Sequence, residues 1–237
     1  MPASNPFAKL NLGLAIIIFD VDGVLVDTRD SFQRTTLETV RHFSGKRVSR
    51  AEWHRWKNKP GFNDDWKLSH QWVRRLGGNF SYNEVKAKFV ELYWGQNGRG
   101  YVSGERWLLS RAQLRRLSGR AELAIFTGRI RRELDYTLDR WKVREYFRKI
   151  VTVEDVQHSK PHPEGLLKIL GAGDAASAVY LGDNIDDALA ARSAGMPFLG
   201  VLPRQSQERR LRGAQLRRLG ALAILSSVEE LAPRIER

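Results

Sequence analysis

The sequence predicts an α/β fold: a parallel sheet with helices on both faces, interrupted near its start by an all-helical insertion. Short apolar runs recur at 15–19, 123–126, 150–153, 178–181 and 197–201, bounded by polar residues. Such runs read as strands buried on both faces. Helix-period segments separate the later runs, at 130–141, 164–170 and 185–194. Strands alternating with helices give right-handed βαβ units, hence a parallel sheet. From 28 to 110 helix signals occur without a convincing strand, and this marks the insertion.

In chain order, the first strand is a continuous β-branched run that stops at Asp20. Within the insertion, Ser49 with Glu52 and Ser81 with Glu84 fit the capping box. Asn63 is placed to cap a helix running to Leu76, and the glycines at 77–78 and 95–98 mark breaks. Trp53, Trp56, Trp66, Trp72, Trp94 and Trp107 fall here, six of the seven tryptophans. A small helical unit must fill its own core, so most are expected to pack, with one or two facing a ligand. Beyond the insertion, Gly195 stands where a helix C-terminal cap belongs, and a sixth strand at 223–225 precedes a short helix from Val228. The stretch 205–220 carries Arg209, Arg210, Arg212, Arg217 and Arg218. As a helix it brings Leu211, Leu216 and Leu219 near one face, with solvated arginines around them. No aromatic residue interleaves, which disfavours a nucleic-acid patch.

At 237 residues and 27.1 kDa the chain suits one domain plus an insertion, or two modest domains. Hydrophobic residues at 42% allow a substantial core. The absence of cysteine excludes disulfides, thiolate metal sites and a cysteine nucleophile. The longest apolar run, 14–19, is far short of a membrane span, and no charged n-region with a cleavage site precedes it. A soluble cytoplasmic protein is the expectation. The formal net charge of +13 favours anionic partners, whether phosphorylated metabolites, nucleic acid or an acidic protein. Residues 28–110 hold 16 basic and 8 acidic side chains, so the excess is concentrated in the insertion.

The chemistry-bearing residues gather just past strand ends. Asp20 and Asp22 follow the first strand in a DxDG pattern. Carboxylates there lie in the crevice where open parallel sheets bind ligands. Two carboxylates so close need a cation or a retained proton, and a hard Mg²⁺ meets that need with few carboxylates plus water and phosphate oxygens. Asp183 and Asp187 follow the fourth strand, four residues apart, and are expected on one side of the next helix's first turn. Aspartates at helix starts are also ordinary caps, which accounts for one or two of them. Thr127, Gly128 and Arg129 follow the second strand, where a hydroxyl, a glycine and a helix start make a phosphate cradle. Lys160 follows the third, able to neutralise a phosphate and a nucleophile together.

The motifs DVDGVLVDT, IFTGR, SKPHPEGL and GDNIDDALAA, in that order, resemble the four motifs of the haloacid dehalogenase superfamily, particularly its phosphatases. The insertion resembles the helical cap of its phosphoglycolate phosphatase and β-phosphoglucomutase branch. The resemblance implies a Rossmann-like core, 1–27 and 111–237, and a helical cap domain, 28–110. It implies Asp20 as the nucleophile that becomes an aspartyl phosphate and Asp22 as the acid and base. Thr127 and Lys160 would hold phosphoryl oxygens. Asp20, the main-chain carbonyl of Asp22 and Asp183 would bind Mg²⁺, with Asp187 in its outer shell. An Asp at 22 favours a phosphate ester over the chemistry of the superfamily's transport ATPases and dehalogenases. The expected function is a Mg²⁺-dependent phosphomonoesterase for a small phosphorylated metabolite. A mutase of the β-phosphoglucomutase type is the runner-up, and a basic nucleic-acid-binding protein the remaining alternative. Substrate contacts are expected from Gly128 and Arg129, and from the cap loop through Asn63, Asp64 and Lys67; the same loop residues also suit plain helix capping.

Overall fold

The computed structural model describes residues 14–57, 64–204 and 209–234. The chain divides into two units, one of Met1–Val26 with Trp107–Arg237 and one of Asp27–Arg106.

The first unit is built on β1 (Ile16–Phe19), β4 (Glu122–Phe126), β5 (Phe147–Val151), β6 (Ala178–Gly182), β7 (Phe198–Val201) and β8 (Ala223–Leu225). Among the described residues they form one parallel sheet in the order β5-β4-β1-β6-β7-β8. Side chains alternate across it as a period of two requires. Ile17 and Phe19 pack with Leu114 and Leu117 of α5 (Arg111–Ser118) and Leu134 and Leu138 of α6 (Arg131–Trp141). Ile16 and Ile18 face the other way, onto Leu166 and Ile169 of α7 (Glu164–Leu170), Ala188 and Ala191 of α8 (Ile185–Ser193) and Leu216 of α9 (Arg209–Arg218). Burying each large apolar side chain is worth about 1.5–3 kcal/mol. A slip of one residue in β1 would exchange both sets at once, so its register is strongly specified.

That register aligns the strand ends. Phe19 is level with Ile125 of β4 and Leu181 of β6. Asp20, Thr127 and Asp183 therefore emerge along one edge of the sheet.

The second unit is helical: α1 (Phe32–Ser44), α2 (Arg50–Lys57), α3 (Asp65–Arg75) and α4 (Tyr82–Trp94). Its core joins Val40, Leu68, Trp72, Val73 and Val85, with Trp53 and Trp56 packed against them. Both expected capping boxes form, at Ser49–Glu52 and Ser81–Glu84. Trp66 carries the Lys86 ammonium 3.8 Å from its ring centre. Two short strands, β2 (Val26–Asp27) and β3 (Arg106–Trp107), pair where the chain leaves and re-enters the sheet-bearing unit.

Several expectations need correction. The third strand is Phe147–Val151, earlier than expected, because Thr152 and Asp155 form a capping box that ends it. Its Arg148 and Lys149 are the charges of a sheet edge, not of a buried strand. Trp107 packs on Trp141 in the sheet-bearing unit. Leu211 is 74% exposed, while Leu216 and, in part, Leu219 dock α9. No helix among the described residues is long and apolar enough to cross a membrane.

Candidate active site

Strand ends and loop geometry bring four of the predicted residues together in the sheet-bearing unit. The Lys160 Nζ donates to Asp20 Oδ1 and to Asp187 Oδ1, both at 2.8 Å. Asp187 also accepts from the Tyr180 hydroxyl at 2.7 Å and from the Asn184 amide at 3.1 Å. Asn184 is the N-cap of α8 and Asp187 its third residue, so one capping box fixes this carboxylate. The Lys160 ammonium lies over the rings of Phe126 and Tyr180, 4.8 and 5.3 Å from their centres.

Asp20, Lys160 and Asp187 are all buried. Burial pushes the Asp20 carboxyl well above the ordinary range; Lys160 opposes this, and Asp187, Asp22 and Asp183 reinforce it. Burial also disfavours the Lys160 ammonium, but Asp187 and Asp20 more than offset that and hold its pKa above the usual lysine value. Tyr180 is raised by burial and by the charges of Asp187 and Asp20, which keeps its hydroxyl a donor.

Asp183 completes the group. Its carboxylate lies against Gly23, in the left-handed region at φ 76°, where a Cβ would collide with Oδ2. Gly182 likewise leaves room for the Asp187 side chain. Asp183 is not in the helix as expected; it precedes the Asn184 cap, so it and Asp187 converge from a strand end and a helix start. Asp20, Asp183 and Asp187 offer oxygens within 4.8 Å of one another. Three hard carboxylate donors against one buried ammonium fit a divalent cation. Asp187 already accepts three hydrogen bonds, which leaves Asp20 and Asp183 as the better direct ligands.

Asp22 lies apart from that pair. The Arg129 Nε and Nη2 both donate to Asp22 Oδ1, at 2.9 and 2.6 Å, and Arg129 Nη1 donates to Thr137 at 2.7 Å. Arg129 is therefore buried, not on the surface. Thr127 is buried and its hydroxyl accepts from the Arg129 amide, whereas Gly128 is exposed. The following helix starts only at Arg131, with Ile130 as its N-cap.

In the helical unit, Asp64 is the N-cap of α3, accepting from the amides of Trp66 and Lys67 at 2.9 and 3.1 Å. It fills the capping role expected of Asn63, which lies outside the described residues. Lys67 is exposed, 3.6 Å from Asp64.

Tyr180 is the participant that the sequence reading missed. It stands in an apolar run and reads as core, yet a hydroxyl in a buried strand must find a partner. That requirement was the available signal.

The model of the haloacid dehalogenase-like hydrolases matches residues 17–201, a span that holds every one of these groups. The chain belongs to that family. A protein named imidazoleglycerol-phosphate dehydratase from Phytophthora nicotianae is 31% identical over 227 residues, 89% of this chain and 50% of that protein. The chain thus spans half the length of this relative. The pyrophosphatase PpaX of Anoxybacillus flavithermus is 26% identical, with 80% of this chain and 84% of that one covered. Among solved structures, phosphatase Tt82 from Thermococcus thioreducens aligns with a TM-score of 0.64 at 24% identity, covering 85% of this chain and 99% of its own. A "predicted phosphoglycolate phosphatase" from Haemophilus somnus reaches 0.76 at 17% identity, covering 95% and 99%. These structural likenesses establish the fold.

Proposed function

We propose that this chain is a Mg²⁺-dependent phosphomonoesterase that hydrolyses a small phosphorylated metabolite through an aspartyl phosphate on Asp20. The observation that carries the reading is the division of carboxylates. Asp20 is held by Lys160 inside a cation-demanding group, while Asp22 is held separately by Arg129. A nucleophile and an acid–base group need such different surroundings.

In this scheme Asp20 attacks phosphorus and the ester P–O bond breaks. Asp22, as the carboxylic acid, protonates the departing oxygen. Its carboxylate then takes a proton from water, which attacks phosphorus and releases Asp20 and inorganic phosphate. Lys160 and the Thr127 hydroxyl hold phosphoryl oxygens, and Gly128 lets the backbone approach them. Arg129 orients Asp22. Asp20, Asp183 and the Asp22 carbonyl would hold a divalent cation, which would supply charge neutralisation, and Asp187 would support them from the outer shell.

Leaving-group recognition is assigned to the helical unit, whose basic excess suits a second anionic group. Asp64 is committed to capping, so Lys67 and Asn63 are the loop residues carried forward as substrate contacts. Location in the cytoplasm is part of the same reading, with no membrane or nucleic-acid partner.

The test is phosphate release from a panel of phosphate esters. Names of relatives add inorganic pyrophosphate and imidazole-bearing phosphate esters to that panel. Release from none of them would reject hydrolysis. Isomer formation from a sugar phosphate without release would favour the mutase reading, which uses the same carboxylates.

A further inference from the structure

The arginine-rich helix α9 sends one of its arginines into the site. Arg210, Arg217 and Arg218 are exposed, as solvated arginines around a docked helix should be. Arg209 reaches the carbonyls of Leu225 and Ile224. Arg212 differs. It adjoins the buried Gly213 and lies on the docked face that continues to Leu216; its side chain is only 11% exposed. Its Nη1 lies 3.6 Å from Asp183 Oδ2, the oxygen set against Gly23.

We infer that Arg212 is a built-in counter-charge that tunes the divalent-cation affinity of the Asp20–Asp183–Asp187 group. This deepens the functional reading above and rests on the cation site it contains. Asp183 is the half-buried member of that group, and Lys160 is spent on Asp20 and Asp187. The Arg212 guanidinium places a fixed positive charge beside this third carboxylate. The same fixed charge repels a divalent cation arriving at the same carboxylate. Arginine cannot lose its proton to relieve the conflict. The affinity is thereby set lower than three carboxylates alone would give, and the cation can exchange. Arg212 acts through Asp183 and is a tuning residue, not a catalytic one.

The test is calorimetric titration of the 237-residue chain with Mg²⁺, and with Mn²⁺ as a tighter probe, without substrate. Arg212→Gln removes the charge and is expected to tighten binding about ten-fold, the size of effect expected for one unit charge near a divalent ion in a partly solvated site. Arg212→Lys keeps the charge and should stay within about two-fold of the unchanged protein. Thermal melts without metal check folding and should show Arg212→Gln less stable, since its charge beside Asp183 is lost. Unchanged or weaker metal binding by a folded Arg212→Gln protein would overturn the inference, and weaker binding would make Arg212 a support for Asp183 instead. Equal tightening in both variants would also overturn it, because charge would not be the cause. Absence of binding by the unchanged protein would remove the cation site itself, and this inference with it.

Discussion

Arg129 holds Asp22 by a single carboxylate oxygen. Both guanidinium contacts end on Oδ1, while the Asp22 side chain remains 37% exposed. In the proposed scheme the other oxygen, Oδ2, carries the proton to or from the substrate. Replacing Arg129 by Gln should therefore damage proton transfer more than phosphoryl binding. An alkyl phosphate, whose leaving oxygen needs a proton, should lose about 10²-fold or more in kcat, within the usual range for general acid catalysis. A nitrophenyl phosphate leaves as a stable anion and should lose far less. Equal losses on both esters would assign Arg129 to the general architecture of the site.

Asp20→Asn is expected to eliminate turnover without harming the fold. The amide matches the carboxylate in size but cannot accept a phosphoryl group. Burial raises the Asp20 pKa, so its ionised form is a liability to the folded state at neutral pH. Melting temperature should thus stay level or rise in the variant, a trade of stability for function. Near-normal turnover by the purified variant would end the covalent scheme.

Chelation should stop activity and Mg²⁺ should restore it, with Ca²⁺ a poor substitute because it prefers a larger, looser oxygen shell. Asp183→Ala should weaken metal binding more than Asp187→Ala. The latter should instead cost about 2–3 kcal/mol of stability, since Asp187 accepts hydrogen bonds from Lys160, Tyr180 and Asn184 and charged hydrogen bonds are worth about that much. Titration of each variant with Mn²⁺ and denaturant melts separate the two effects.

Glu164, at the start of α7, gives a pH-dependent stability. Hydrogen bonds from Lys168 and from the amides of Gln157 and His158 hold its carboxyl down at about 2. A depressed carboxylate stabilises the fold above its unfolded pKa of about 4.3. That contribution fades as pH falls toward 2. Glu164→Gln should melt below the unchanged protein at pH 7, and the gap should narrow steadily between pH 4 and pH 2. A constant gap would place the effect in packing instead.

Much of the site was legible because its residues sit at strand ends, where position along the chain fixes position in space. Asp20, Thr127 and Asp183 were found this way, and β1's register aligns them. What the sequence could not convey were contacts that span elements. Tyr180 looked like core until its hydroxyl met Asp187 from the neighbouring helix. Arg212 was one of five arginines in a short stretch, and only helix phase separates it from its solvated neighbours. Asn63 and Asp64 are adjacent and equally suited to capping, so the choice between them lay in backbone geometry. The strand at 147–151 was misplaced because an edge strand tolerates the charges that a buried one excludes.

The paired strands β2 and β3 give the helical insertion a common doorstep. Its two ends meet as ladder neighbours, and the Leu108 amide donates to the Leu25 carbonyl at 2.8 Å beside them. To the sheet, everything from Asp27 to Arg106 is one long insertion. Lengthening or exchanging such an insertion adds little closure entropy, because that cost grows only with the logarithm of its length. In the proposed reading, reaction chemistry and ligand choice fall in separate stretches of chain. A lineage can rewrite the second while the first stands still, and a designer can graft a new insertion between Val26 and Trp107 without touching an aspartate of the catalytic edge.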